Sequence, residues 1–360
     1  MFPKNELVPG LTHPLLSAAH PHRLRSVHAR YGRFLSGAND SLVLSLYPFC
    51  SVTPLRYTND AATEALLTFL EVDSGQTLDA LASVDVQLSH AVRSLLRPGA
   101  SWGREDDMAV DKPDKLLEFD QVWHPEYQRY CEHVFNHLIK VPLGVLGIRK
   151  AKDYHAPKLS VRVGLLAQNN LGSLTHGFDS TIRNAIAHGT TLYTDHSIIY
   201  VDSHARKEVW ASNFSQYFDP LVASCHTFVV AILLFICRNE QRIRQHGFNK
   251  LPFGLRYLLV RGISSHDGFD VRDAVESEVG GYPQVSIYAQ STTRSRAIHL
   301  LESLSTAVAA QEFGGTDYAR ILVFIDPGEG VPAVATLDTR MFSELRRDGW
   351  SEDRISAVFE

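Results

Sequence analysis

The chain has 360 residues, 44% of them hydrophobic and 21% charged, with a net charge of −5. This is an ordinary soluble composition, and it excludes a protein coated in basic residues; any nucleic acid would have to be met by a local patch. Four cysteines, Cys50, Cys131, Cys225 and Cys237, form no C-x-x-C pair, which argues against a zinc ribbon or a thioredoxin motif and fits a reducing cytosol.

Residues 7–39 hold Arg23, Arg25, Arg30 and Arg33, interleaved with His20, His22 and His28, and no acid. Such a run can be an arm for RNA phosphates, but a solvated helix or a contact with an acidic segment is the commoner outcome. Leu42 to Leu46 reads as a short strand or a helix start. Asp60 caps a helix through Leu70, and a second helix runs from about Leu78 to Leu96, stopped by Pro98-Gly99. An acidic, Pro-containing connector at 101–115 marks a boundary, giving a mainly helical region over 1–110.

A helix over Pro125 to Ile139 follows, then a shorter apolar piece after Pro142 and Gly144. His133 and His137 sit one helical turn apart, at zinc-ligand spacing. There is no H-E-x-x-H arrangement and no third ligand nearby in sequence, so the expectation is surface histidines, no metal and no cofactor. The next helix begins near Lys158, with Gly164, Gly172 and Gly177 either allowing a close backbone approach or dividing it. It ends in Phe178-Asp-Ser-Thr-Ile-Arg-Asn-Ala-Ile-Ala-His-Gly189, where Arg183, Asn184 and His188 crowd the last turn and a half. Asn184 and His188, four apart, share a face and are expected to hydrogen-bond; Asp179, four before Arg183, is expected to orient its guanidinium. Arg183 lies roughly 140° around the helix from His188, so the two side chains meet more readily across a two-fold axis than within one helix. Beyond Gly189 the period changes to two, predicting a hairpin of 191–193 with 197–201. Its Tyr193 and Tyr200 are candidates to stack on bases, or simply to pack.

A long apolar helix runs from Ser215 to about Arg242. Its ten-residue apolar core, Phe228 to Cys237, is too short for the roughly 18–20 residues of a spanning helix and predicts a buried bundle helix. From Leu251 the pattern predicts a strand over Leu255 to Gly262, a helix over Val271 to Val279 and a strand over Gln284 to Gln290. A helix over Arg294 to Gln311, strands at Ile321 to Asp326 and Val334 to Leu337, and two short closing helices complete it. This β-α-β-α-β-β order predicts a small α/β domain over 250–360. Arg294 and Arg296, at a helix N-terminus, are candidate substrate contacts, and a loop carries His266, Asp267 and Asp270. Neither a Walker A motif nor G-x-G-x-x-G is present.

The run Arg183-Asn184-Ala185-Ile186-Ala187-His188 resembles the signature of the HEPN superfamily: Arg, a polar residue, variable residues, then His near the end of a long helix. The resemblance covers about 115–245, in a bundle placed over 115–248, and Thr190 stands where some relatives carry a Tyr two residues after the His. It implies a HEPN-like helical bundle in the centre that forms a homodimer and cuts RNA without metal, within a chain whose elements read as α+β, mostly α. Arg183 would steady the phosphate, His188 would act as acid or base, and Asn184 would support them. The implied setting is a cytoplasmic toxin or antiviral effector, held by a regulatory partner or antitoxin, with no membrane involved. The rival reading is a HEPN-like module that binds RNA, a nucleotide or a protein without chemistry. A metalloenzyme using His133 and His137 is a third.

Overall fold

The computed structural model describes residues 14–50, 58–96, 118–203, 205–314, 318–328 and 331–340. The chain is α+β and mostly α, with two small sheets among the described residues, and it divides into two compact units. One comprises 51–235; the other joins 1–50 to 236–360. The division differs from the boundaries expected at 110–115 and 248–250. Residues 60–96 join the central segment, and the first fifty residues join the C-terminal one. The acidic connector and the expected closing helices lie outside the described residues.

In chain order, the helices up to the first sheet are α1 Pro14–Tyr31, α2 Asp40–Val43, α3 Asp60–Glu71, α4 Ser74–Ser83, α5 Asp85–Leu96, α6 over 119–138, α7 Lys140–Lys150, α8 Leu159–Gln168 and α9 Ser180–His188. The antiparallel sheet β1 Thr191–Tyr193, β2 Ser197–Asp202 and β3 Ala205–Trp210 follows. After it come α10 Ser215–Arg238, α11 Glu240–His246, α12 Phe253–Ser264, β4 Phe269–Val279, β5 Tyr282–Ser291, α13 Arg296–Gly314, β6 Arg320–Asp326 and β7 Ala333–Asp338.

In the 51–235 unit, the core is aromatic and aliphatic: Tyr127, Tyr130, Phe135, Phe214, Phe218 and Phe228 are fully buried. Asn59, not Asp60, caps α3, its side chain accepting from the Ala62 N–H. Pro142 does not break the chain's helix: it falls in the first turn of α7, where a missing N–H costs little. Gly144 lets α7 close on α4, since a Cβ there would stand 3.2 Å from that of Ala80. α6 contains two π-helical turns, Phe119–Trp123 and Tyr130–Phe135, separated by an α-helical turn. Gly177 lies between α8, which ends at its C-cap Asn169 just before Asn170 (φ +62°), and α9, so the expected long helix is two helices. Gly177 takes φ +82°, and a Cβ on it would lie 2.2 Å from the Leu221 backbone nitrogen, so the chain presses directly on α10 there. The sheet has a third strand, β3, that the sequence pattern did not predict. Ala211–Arg238 is the one described stretch long and apolar enough to cross a membrane, and 83% of its most apolar window is buried inside the protein, as in a core helix.

In the other unit the sheet order is β4-β5-β6-β7, antiparallel except for the parallel β5–β6 pair that α13 connects. Two expected elements are exchanged. Leu255 to Gly262 lies in helix α12, not in a strand: a run buried on every side carries no periodicity to separate the two. Val271 to Val279 lies in strand β4, not in a helix. A bulge between Val271 and Asp273 turns both Val271 and Ala274 inward, so apolar residues three apart mimic helical spacing. The arginine-rich α1 is no open arm either. Arg23 is buried, donating to the carbonyls of Gly262 (3.2 Å) and Ser265, while His20 Nε2 meets the carbonyl of Ile263 at 3.1 Å. These side chains satisfy carbonyls left over at the C-terminus of α12.

Candidate functional site

Helix α9 carries the Arg–Asn–His run, and its two ends are closed by local chemistry. Asp179 is the N-cap, its Oδ1 accepting from the N–H groups of Thr181 (2.9 Å) and Ile182 (3.0 Å). At the other end Gly189 takes φ +65°. Its N–H donates to the carbonyl of Ile186 (3.2 Å), and that of Thr190 donates to Ala185 (2.9 Å), the paired bonds of a Schellman cap. His188 is therefore the last helical residue. It is exposed, with no hydrogen-bond or ion-pair partner among the described residues.

Arg183 is held on one side by Glu132 of α6, which accepts from its Nε and forms an ion pair with it. On the other side its Nη1 donates to Asn184 Oδ1 at 2.7 Å, and Asn184 Nδ2 donates to Asp202 Oδ2 of β2 at 2.8 Å. Two acids flanking an arginine and an amide fix the guanidinium plane by charge-assisted hydrogen bonds. Two expected contacts are replaced. Asp179 does not orient Arg183: its Oδ1 is used in the cap, and its Oδ2 forms an ion pair with Lys207 of β3 at 2.5 Å. Asn184 does not reach His188, because Arg183 and Asp202 occupy both ends of its amide.

Beside the end of α9 lies a groove of about 390 Å³, lined by Asp120, His124, Gln128, Ile186, Gly189 and Tyr193 among others. Tyr193 donates its hydroxyl to Asp120, which also sits 3.4 Å from His124 Nδ1, and the Tyr193 and His124 rings stack with centroids 6.3 Å apart. His124 Nε2 meets the Tyr200 hydroxyl at 2.9 Å. Burial, partly offset by Asp120, lowers the His124 pKa to about 4, so its imidazole is neutral around pH 7. The Tyr193 and Tyr200 phenols are both raised, again chiefly by burial. Tyr200 is fully buried and serves packing and this relay, whereas Tyr193 stays on the groove wall. Arg294 and Arg296, both exposed, belong to the other compact unit, at the start of α13. His266 and Asp270 are also there. Asp270 pairs with Arg261 (3.3 Å) and Arg272 (3.0 Å), and His266 lies 3.5 Å from the buried Glu302.

The sequence alone did not point to Asp120, His124, Glu132 or Asp202. One signal was available, since Asp120 and His124 are four apart and so share a helix face. Glu132 and Asp202 meet the run only through tertiary packing. No protein-family model, curated protein or solved structure matches the chain, so a functional reading rests on these residues and their geometry.

Proposed function

We propose that the 51–235 unit is a HEPN-like, metal-independent endoribonuclease acting as a homodimer, in which Arg183 and His188 of paired α9 helices face one cleft. The observation that carries the proposal is the contrast within one helix. Arg183 is fixed by Glu132 and by Asn184, while His188, a turn further on, is exposed and unpaired among the described residues. A fixed cation suits a phosphodiester anion, and an exposed, unpaired imidazole is free to meet a substrate proton. In the reaction the ribose 2′-OH attacks the adjacent phosphorus and the bond to the 5′ oxygen breaks. Of the two His188 side chains in the pair, one takes the 2′-OH proton and the other gives a proton to the departing 5′ oxygen, while Arg183 stabilises the charge on phosphorus. The products are a 2′,3′-cyclic phosphate and a 5′-OH end. Tyr193 and the groove beside it would receive the flanking nucleotide. The setting that fits is a cytoplasmic toxin or antiviral effector restrained by a partner.

The test is cleavage of total RNA by the full chain in the presence of a chelator. Cleavage is expected, with His188→Ala lowering it at least about a hundredfold and Arg183→Ala by a similar factor. No cleavage by the unaltered dimer, or equal cleavage by His188→Ala, removes the proposal. One observation favours a non-catalytic module instead: Glu132 already neutralises Arg183. That reading predicts chelator-resistant RNA binding without product, lost in Arg183→Ala and retained in His188→Ala.

A further inference from the structure

The 51–235 unit holds a second constellation that the Arg183/His188 reading does not use. His133 and His137 of α6 gain the third partner that sequence spacing did not provide. His90, on α5, has its ring centroid 5.5 Å from each of theirs, at 62° to His133 and 86° to His137. One ligand nitrogen from each of the three rings lies within 4.8 Å of the other two. A tetrahedral Zn²⁺ with bonds of about 2.0–2.1 Å sets its ligand nitrogens about 3.4 Å apart, so small side-chain rotations close the set. His137 Nδ1 is buried and has no hydrogen-bond partner, so one imidazole nitrogen in the cluster has no satisfied role. His133 sits in a π-helical turn, a distortion that often marks a functional position.

We propose that His90, His133 and His137 form a tri-histidine site for a divalent cation of the Zn²⁺ class. Three neutral imidazoles with neither thiolate nor carboxylate select borderline metals such as zinc or cobalt over magnesium and calcium. His90 and His133 are exposed, which gives an ion access and leaves a fourth position to water. The charges of Lys140 and Arg162 act on His137 and oppose a dication, so the affinity falls below that of a thiolate site. The ion would cross-link α5 to α6, the helix whose Glu132 holds Arg183. The site is proposed as a clamp, independent of whether the chain cuts RNA.

The test uses tag-free full-length protein, stripped with chelator and titrated with Zn²⁺ and with Co²⁺. One equivalent is expected to bind, with the visible bands of a low-coordinate, nitrogen-ligated Co²⁺ and a rise in melting temperature with Zn²⁺. His90→Gln and His133→Gln should each weaken binding at least about a hundredfold, beyond what loss of an outer-shell group does, and abolish the thermal shift. His22→Gln should change neither. The absence of Co²⁺ bands, or equal binding and thermal shift in His90→Gln, overturns the site and leaves three rings that only pack edge to face. RNA cleavage is not a readout here, so failure of the metal site and failure of the ribonuclease are told apart.

Discussion

Asp179 offers a measurement that separates capping from charge pairing. Its Oδ1 accepts from two N–H groups at the start of α9, and its Oδ2 pairs with Lys207 at 2.5 Å. Asp179→Ala removes both roles. Loss of an N-cap costs about 1 kcal/mol, within a range of roughly 0.5–2. The pair is partly exposed, its side chains retaining 21% and 33% of their accessibility, so solvent limits it to about 0.5–1 kcal/mol. The total is about 2 kcal/mol. For a unit of this size that is a fall in melting temperature of about 4–8 °C. Asp179→Asn keeps the capping oxygen and loses only the ion pair, so it should cost under about 1 kcal/mol, while Lys207→Met, which also loses the contact of its ammonium with the Tyr217 ring (4.3 Å), should cost somewhat more. The assay is thermal unfolding by circular dichroism at low and moderate salt, where only the ion-pair part weakens as salt rises. Equal losses for Asn and Ala would refute the reasoning, because the cap would then contribute nothing.

Other expectations can be checked in the same way. Gly177→Ala combines φ +82° with a Cβ 2.2 Å from the Leu221 nitrogen, so it should cost about 3 kcal/mol or more in denaturant unfolding. Tyr127→Phe removes the hydroxyl that donates to the Gly177 carbonyl (2.8 Å) and accepts from the Asp179 N–H (3.1 Å). With both groups left unpaired, its cost should be about 2 kcal/mol by the same method. His124, whose pKa falls from 6.5 to about 4 on folding, binds a proton more readily in the unfolded chain. Stability due to it is therefore complete above about pH 6.5 and is lost as pH falls from there towards 4, by up to about 3 kcal/mol. His124→Gln should flatten that part of a pH–stability curve, and an unchanged slope would show that other groups set it.

What could be read in advance depended on how local the cause was. The cap at Gly189, the hairpin after it and the apolar helix through Phe228 each follow from neighbouring residues, and each is present. The exchange of α12 and β4 shows where that fails. A segment buried all round has no face to reveal, and a one-residue bulge shifts a strand's pattern towards a helix's. Arg23 misled for a related reason: a cation in a run without acids looks solvated, yet its partners are carbonyls at a helix end more than two hundred residues away. Arg183, Asn184 and His188 were visible as a run. The acids that hold Arg183 were not, because Glu132 and Asp202 approach from α6 and β2.

Those acids change what a loss of activity would mean. Arg183 is positioned by a line of contacts running from Glu132 through the guanidinium and Asn184 to Asp202. Glu132→Gln keeps an acceptor but removes the charge, so it should free the guanidinium to bind phosphate more strongly while holding it less firmly. If Arg183 steadies a transition state, KM should fall and kcat with it, because ground-state binding improves while preorganisation is lost. If Arg183 only grips a ligand, Glu132→Gln should tighten RNA binding, and no product should form from either protein. Asp202→Asn acts from the far end of the line, without touching the guanidinium. A change in kcat there with RNA affinity unchanged would identify positioning, which a simple charge site at Arg183 cannot produce.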